Sequence, residues 1–152
     1  ENPTSQVMRH VKNDEERTHK EELLSNVSKR YGLFLFVSAN CAYCKAFAPI
    51  VNVFSKKYGF EVMVIQTRGP VDLDIEQIFP KVLKNNGMVE AFGIEGTPAL
   101  MAYSAQDDDL IPITYGATSL DTLETNALSL IHSDKQSAHG DPCLPAHLRG
   151  DA

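Results

Sequence analysis

The stretch Cys41-Ala42-Tyr43-Cys44 constrains this chain most, because of the two patterns that flank it. An apolar run over 33–37 precedes it and predicts a buried strand, and helical spacing over 45–58 follows it. A helix N-terminus carries unpaired N–H groups and the positive end of the helix dipole, which favour a thiolate over a thiol. The pattern therefore predicts a thiol–disulfide exchange centre, with Cys41 as the attacking thiolate and Cys44 as the resolving thiol.

Two other interpretations of the cysteine pair remain open at this point. The pair could supply half of a zinc site, although such sites normally need a second Cys or His pair, and no second C-x-x-C occurs in the sequence. It could also be an inert structural disulfide, although a staple gains most when it closes a long loop. The position of the pair between a strand and a helix favours the redox interpretation.

Composition limits the class of protein. The chain has 152 residues, which fits one domain, and its formal net charge is −6. An acidic balance argues against a nucleic-acid partner, which would require a basic face. No apolar run approaches the length that spans a membrane, so we expect no membrane span in this chain.

The pattern along the chain predicts an α/β fold. A lead-in over 1–12 and a polar helix over 14–30, capped by Asn13, come first. Further helices are predicted over 42–58, 88–92 and 119–131, and strands over 33–38, 61–67, 99–103 and 110–115. Residues 68–86 look like a loop with one helical turn near 75–79. An early βαβ unit and a late hairpin predict a mixed central sheet with helices on both faces.

Three neighbours of the cysteines form the expected active-site environment. Ala42 and Tyr43 lie between the cysteines, and Tyr43 brings no positive charge that could stabilise a thiolate. Lys45 could supply that charge, but long cationic side chains usually extend into water. Both roles for Lys45 stay open on the sequence alone.

Thr97-Pro98 is the second element of the predicted site. A proline that opens a strand can be an ordinary trans edge residue. A cis bond would instead place the backbone of Thr97 opposite Cys41, where it could pair with an extended substrate segment. Thr97 and Pro98 are therefore the candidate substrate-binding residues.

A metal site is not expected. His139, Cys143 and His147 recur at intervals of four, but Pro142 and Pro145 prevent the helix that would give this spacing a meaning. Residues 132–152 instead resemble a flexible C-terminal tail.

The motifs together resemble a known superfamily. Cys41-x-x-Cys44, Pro49 five residues later and Thr97-Pro98 before a strand resemble the thioredoxin superfamily, which implies a cis bond before Pro98. The resemblance divides the chain into an N-terminal lead-in and polar helix over 1–30, a thioredoxin-like domain over 31–131 and the tail. Many thioredoxins carry a buried acid six residues before the first cysteine, where this chain has Leu35.

A closer resemblance is to the TraF/TrbB family of conjugative-transfer proteins. It is carried by Phe47-Ala-Pro-Ile50, Phe54-Ser-Lys-Lys-Tyr-Gly-Phe60, Thr97-Pro-Ala-Leu100 and Ile111-Pro-Ile-Thr-Tyr-Gly-Ala117. Some members of that family have lost the cysteines, whereas this chain keeps both.

The family resemblance implies a function. It implies a periplasmic protein disulfide isomerase or oxidase, exported with a signal peptide that has been removed, which assists the folding of conjugative type IV secretion proteins. Its partners would be disulfide-containing proteins, other conjugation proteins and a redox protein that resets the dithiol, and no cofactor is expected. The alternative is a non-catalytic thioredoxin-like adaptor within the conjugation machinery.

Overall fold

The computed structural model describes the backbone of residues 3–131 and the side chains of residues 14–131. The helices are α1 (Pro3–Val27), α2 (Ala42–Tyr58), α3 (Leu73–Ile78), α4 (Met88–Phe92) and α5 (Leu120–Ala127). The strands are β1 (Gly32–Val37), β2 (Val62–Gln66), β3 (Val82–Lys84), β4 (Ala99–Ser104) and β5 (Asp109–Tyr115). The tail predicted over 132–152, including Cys143, lies outside the described residues.

The five strands form one mixed sheet in the order β3-β2-β1-β4-β5. β1 is central and pairs parallel with β2 on one side and antiparallel with β4 on the other. β5 forms the predicted antiparallel hairpin with β4, and β3 extends the parallel side. Pro112 is tolerated in β5 because this strand is at the edge of the sheet, where the missing N–H interrupts no hydrogen bonding between inner strands. The prediction of a mixed central sheet is confirmed.

The alternation of side chains along β1 divides the core into two layers. Leu33, Leu35 and Val37 point to the face covered by α1, α2, α3 and α5. Phe34 and Phe36 point to the other face, where the side chains of α4 pack against them. Helices therefore cover both faces of the sheet, as predicted.

The first helix is longer than predicted. It begins at Pro3 rather than near residue 14, so the predicted lead-in over 1–12 was wrong for residues 3–12. Proline is favoured at the first position of a helix, and no further proline or glycine follows it in this segment. Asn13 thus lies inside α1 and not at its cap. The helix is anchored at its end, where Leu24 and Val27 are buried in the core.

The segment over 68–86 contains a strand that the sequence analysis missed. β3 has only three residues and directly follows Pro80 and Lys81. Its register against β2 pairs Val64 with Val82 and Gln66 with Lys84. So short a strand depends on its neighbour and shows no alternation that a sequence pattern could reveal.

A buried carboxylate connects three helices on the α2 face of the sheet. Glu124 of α5 is 3 % exposed and accepts hydrogen bonds from Lys57 and Tyr58 of α2. The ammonium of Lys57 lies 2.8 Å from it, and that of Lys20 of α1 lies 3.5 Å away. Burial opposes ionisation of Glu124, but the hydrogen bonds from Lys57 and Tyr58 outweigh it and lower the pKa of the carboxyl below its ordinary value.

We expect Glu124→Gln to destabilise the fold by about 1–3 kcal/mol at pH 7, because the buried hydroxyl of Tyr58 and two ammonium groups lose their anionic partner. A carboxyl with a lowered folded-state pKa stabilises the fold above its unfolded pKa, and this contribution is lost as the pH falls through the folded value. In urea unfolding, the difference in the free energy of unfolding between wild type and Glu124→Gln should therefore shrink below about pH 4.

The control variant is Glu61→Gln, which removes an exposed carboxylate at the start of β2. It should leave the free energy of unfolding nearly unchanged. An equal loss in both variants, or a Glu124→Gln effect that is the same at pH 7 and at low pH, would contradict the role given to the buried carboxylate.

Candidate active site

Cys41 is the N-cap residue of α2, and its sulfur is directed at the open end of the helix. The Cys41 Sγ accepts a hydrogen bond from the backbone N–H of Cys44 at 3.1 Å. The two cysteines are joined as a disulfide. When the bond is reduced, this N–H and the helix dipole would favour negative charge on Cys41.

The two sulfurs differ in accessibility. Cys41 is half-buried, whereas Cys44, one turn further along α2, is fully buried. Only the outer sulfur can therefore be reached by a large partner, while the inner one faces the core cluster beside Phe47. Such an arrangement suits one thiol for attack and the other for resolution.

The loop before β4 forms the opposite wall of the site. The Thr97–Pro98 bond is cis, which confirms the expectation from the superfamily resemblance. The Thr97 carbonyl oxygen lies 3.8 Å from the Cys41 Sγ, and its hydroxyl oxygen lies 3.9 Å from the same sulfur. Thr97 and Cys41 therefore meet although 56 residues separate them in the chain.

Ser38 is a site residue that the sequence analysis missed. Its hydroxyl oxygen lies 2.6 Å from that of Thr97, and its side chain is buried. The bond links the end of β1 to the loop before β4 and holds the Thr97 hydroxyl close to Cys41. A polar residue at the end of an apolar strand, three positions before the first cysteine, is the only signal the sequence offered.

Two adjoining cavities open at the site. One, of about 750 Å³, is lined by Cys41, Ala42, Tyr43 and Thr97 among others. The second, of about 480 Å³, lies on the other side of Thr97 and is lined by Pro98 and Tyr115. The structure thus brings together the predicted residues Cys41, Ala42, Tyr43, Thr97 and Pro98 around one groove.

Lys45 is partly exposed, as a surface lysine would be, but its ammonium group is paired with carboxylates. Its ammonium lies 3.3 Å from the carboxylate of Asp74 and 3.9 Å from that of Asp72, at the start of α3. It is about half exposed, so these ion pairs stabilise the contact of α2 with α3 only weakly. Its charge is thus directed toward α3.

The loop after β2 lies directly against the loop that carries Cys41. The carbonyl of Arg68 accepts hydrogen bonds from the N–H of Ala39 at 3.1 Å and from the Gln66 side chain at 2.9 Å. At Gly69, where φ is +70°, an added Cβ would lie 2.5 Å from the Cβ of Ala39. Glycine is required here by both the backbone conformation and the close approach. Asn40, with φ 56°, adopts the same left-handed region just before Cys41.

No metal centre or membrane span appears in the part of the chain that the structure describes. Within residues 14–131, His, Cys, Asp and Glu form no group of three or more that could hold a metal ion. No described helix is long and apolar enough to cross a membrane. His139, Cys143 and His147 lie outside these residues.

Comparison with known proteins identifies the family. The model of the family described as "TraF: F plasmid transfer operon protein" matches residues 1–128. The chain belongs to the TraF family. It is 22% identical to protein TraF of Escherichia coli K12 over 115 residues, which cover 76% of this chain and 45% of that protein. The chain thus spans less than half of the length of this curated relative.

Solved structures show that this TraF family member has a thioredoxin-like fold. A protein assigned as thiol:disulfide interchange protein DsbE from Chlorobium tepidum matches with a TM-score of 0.54 and 18% identity, over 71% of this chain and 84% of that one. The exposed lipoprotein thioredoxin Etrx1 from Streptococcus pneumoniae TIGR4 matches with a TM-score of 0.52 and 17% identity, over 70% and 89%. The thioredoxin domain of a thiol-disulfide oxidoreductase from Bacteroides vulgatus matches with 0.50 and 14%, over 70% and 82%. The resemblances stated from the sequence are confirmed for family and fold.

The close approach at Gly69 generates a first prediction for the site. Gly69→Ala and Gly87→Ala both place a side chain at positive φ, which costs about 1 kcal/mol. Only Gly69→Ala also collides with Ala39, since an added Cβ at Gly87 meets nothing within 4 Å. We expect Gly69→Ala to lose about 1–3 kcal/mol more than Gly87→Ala in urea unfolding. Equal losses would mean that the two loops are not in this tight contact.

The difference in burial generates a second prediction. After reduction, in a Cys143→Ser background, iodoacetamide should modify Cys41 faster than Cys44 by an order of magnitude or more. Fragment-ion mass spectrometry of the peptide that carries both cysteines would measure the two rates. Comparable rates would contradict the division into an outer and an inner thiol.

Proposed function

We propose that this chain is a protein thiol–disulfide oxidoreductase that oxidises client thiols to disulfides or isomerises existing disulfides. Its substrates would be proteins of the conjugative type IV secretion apparatus, and it would act in the periplasm. The observation that carries the proposal is the half-buried Cys41 at the N-cap of α2, disulfide-bonded to a buried Cys44 and facing Thr97. Residues that served only as a staple would not need an accessible sulfur beside an open groove.

The proposed chemistry in the oxidising direction starts from the Cys41–Cys44 disulfide. A client thiolate attacks the Cys41 sulfur, a client–Cys41 bond forms, and the Cys44 sulfur leaves and takes a proton. A second client thiolate then attacks the client sulfur of this bond and releases the Cys41 thiolate. The client loses two electrons to the cysteine pair, and a redox partner protein removes them again.

The isomerising direction starts from the dithiol and needs no net electron transfer. The Cys41 thiolate attacks a wrong client disulfide and forms a mixed disulfide, and the displaced client thiolate is free to attack another client disulfide. The bond to Cys41 is broken when a client thiol attacks the client sulfur, which returns the Cys41 thiolate. Cys44 closes the ring only when a client stays trapped, and in doing so it leaves that client reduced by two electrons.

The cellular setting is proposed from the family and from redox chemistry. Family membership connects the chain to conjugative transfer. Protein disulfides form and persist in the bacterial periplasm, whereas cytosolic thiols are kept reduced. An enzyme that makes or rearranges disulfides in transfer proteins is therefore best placed in the periplasm, and its clients would be other conjugation proteins.

The test is the refolding of a protein with scrambled disulfides, followed by recovery of that protein's own activity. Wild type, reduced to the dithiol, should accelerate recovery, and Cys41→Ser should fall to the uncatalysed rate because the attacking sulfur is lost. Cys44→Ser should accumulate mixed disulfides with the substrate, visible on non-reducing gels. Cys143→Ser is the matched control and should behave as wild type.

Equal rates for wild type and Cys41→Ser would reject the enzymatic proposal. If plasmid transfer were also unaffected by Cys41→Ser but abolished by deletion of the protein, the non-catalytic adaptor would be the better account.

For an active enzyme, measurement of the reduction potential of the Cys41–Cys44 pair would distinguish an oxidant from a reductant, since known members of the superfamily range from about −270 to about −120 mV.

A further inference from the structure

Two charged side chains stand on the two walls of the groove that contains Cys41. Arg68 follows β2 and Glu95 precedes β4, and both line the larger cavity with Cys41. Glu95 also lines the smaller cavity on the other side of Thr97. Among the described residues that line these two cavities, only Arg68 and Glu95 have a charged side chain.

The sheet order places these charges on opposite sides of Cys41. β1, which leads to Cys41, lies between β2, which leads to Arg68, and β4, which follows Glu95. Two strand spacings separate β2 from β4, so the backbones that carry the two charges are on the order of 10 Å apart. In an extended peptide the residues two before and two after a cysteine are about 13 Å apart and lie on the same face as the cysteine, so their side chains can reach the two charges.

Neither charge is satisfied within the described part of the chain. The Arg68 guanidinium and the Glu95 carboxylate have no hydrogen bond or ion pair there, and both side chains are exposed. Lys45 and Lys57 of α2, in contrast, are paired, Lys45 with Asp72 and Asp74 and Lys57 with Glu124. Arg68 and Glu95 are therefore free to bind charges of another molecule.

The position of Arg68 is also held by buried contacts. Gln66 is 4 % exposed and donates from Nε2 to the carbonyls of Arg68 and Pro70, at 2.9 and 3.1 Å. The Ala39 N–H binds the same Arg68 carbonyl, and Gly69 packs on Ala39. These contacts fix the backbone at Arg68 beside the cysteine loop, so less backbone entropy is lost when a ligand is bound.

We propose that the groove selects client segments in which the cysteine lies between an acidic and a basic residue in one fixed order along the chain. Arg68 binds the client carboxylate, Glu95 binds the client cation, and Cys41 exchanges with the sulfur between them. This inference rests on the proposed function, because it names the substrate class of the same site. Backbone pairing of the client with Thr97 would fix the direction in which the client chain lies, so that the order of the two charges matters.

The experiment uses two peptides of equal composition and zero net charge. Each carries one cysteine as a mixed disulfide with 2-mercaptoethanol. One peptide has Asp two residues before the cysteine and Lys two residues after it, and the other has the two exchanged. The reduced full-length protein transfers two electrons to the mixed disulfide, which yields the peptide thiol, 2-mercaptoethanol and the Cys41–Cys44 disulfide. The rate is followed by release of the peptide thiol.

Wild type should reduce one peptide about fivefold faster than the other at low ionic strength, since exposed ion pairs contribute up to this order. The preference should disappear at about 1 M salt, where charges are screened within a few ångströms. The double variant Arg68→Glu/Glu95→Arg should prefer the other peptide. The matched control Lys56→Glu/Glu61→Lys, which exchanges exposed charges outside both cavities, should keep the wild-type preference.

Rates within a factor of about two for the two peptides in wild type would overturn the proposal, because ion pairs at both flanks must distinguish them. An unchanged preference in the Arg68→Glu/Glu95→Arg variant would overturn it as well. Reduction of bis(2-hydroxyethyl) disulfide, which is small and uncharged, separates this failure from that of the proposed function. If wild type does not reduce even this compound, the oxidoreductase proposal fails, and the substrate class fails with it.

Discussion

The site depends on the pairing of β1 with a parallel neighbour on one side and an antiparallel neighbour on the other. β2 runs parallel to β1, so both strands end on the same side of the sheet. β4 runs antiparallel to β1 and therefore begins on that side. The pairing continues past the strands, since Thr67 N–H donates to the Val37 carbonyl at 2.8 Å and Ala39 N–H to that of Arg68. Three loops distant in sequence therefore meet at one place, and each contributes a wall of the groove.

The parts of the fold that could be predicted are those whose signal is local. The bounds of α2 follow from helical spacing that ends at Gly59, and those of α4 from the turn signal over 85–87 and from Gly93; both are observed as predicted. The cysteine pair at a helix start and the cis bond before Pro98 could be expected from short motifs and their resemblance to a superfamily. β3 could not be predicted, because three residues acquire their strand conformation from pairing with β2 and not from their own pattern.

The part of the site that the sequence did not reveal consists of residues whose role arises from contacts across the fold. Ser38 matters because its hydroxyl meets that of Thr97, 59 residues away. Arg68 belongs to a stretch that looked like an ordinary loop, and Gln66 looked like the end of a strand. The same holds for Glu124, which resembles one more polar residue on α5 until α1 and α2 surround it with Lys20, Lys57 and Tyr58.

The place of the buried acid bears on how the cysteine pair works. Leu35 fills the position where many thioredoxins have a carboxyl group, and it is fully buried. Among the described residues the one buried carboxylate is Glu124, which binds Lys57, and Lys57 is thirteen residues along α2 from Cys44. At 1.5 Å per residue this is about 20 Å, too far for proton transfer to Cys44. If no group takes over the role of the buried carboxyl group that many thioredoxins have, Cys44 becomes a thiolate slowly and a mixed disulfide on Cys41 lasts longer. A long-lived mixed disulfide leaves time for the client's own thiols to attack, which is the condition for isomerisation.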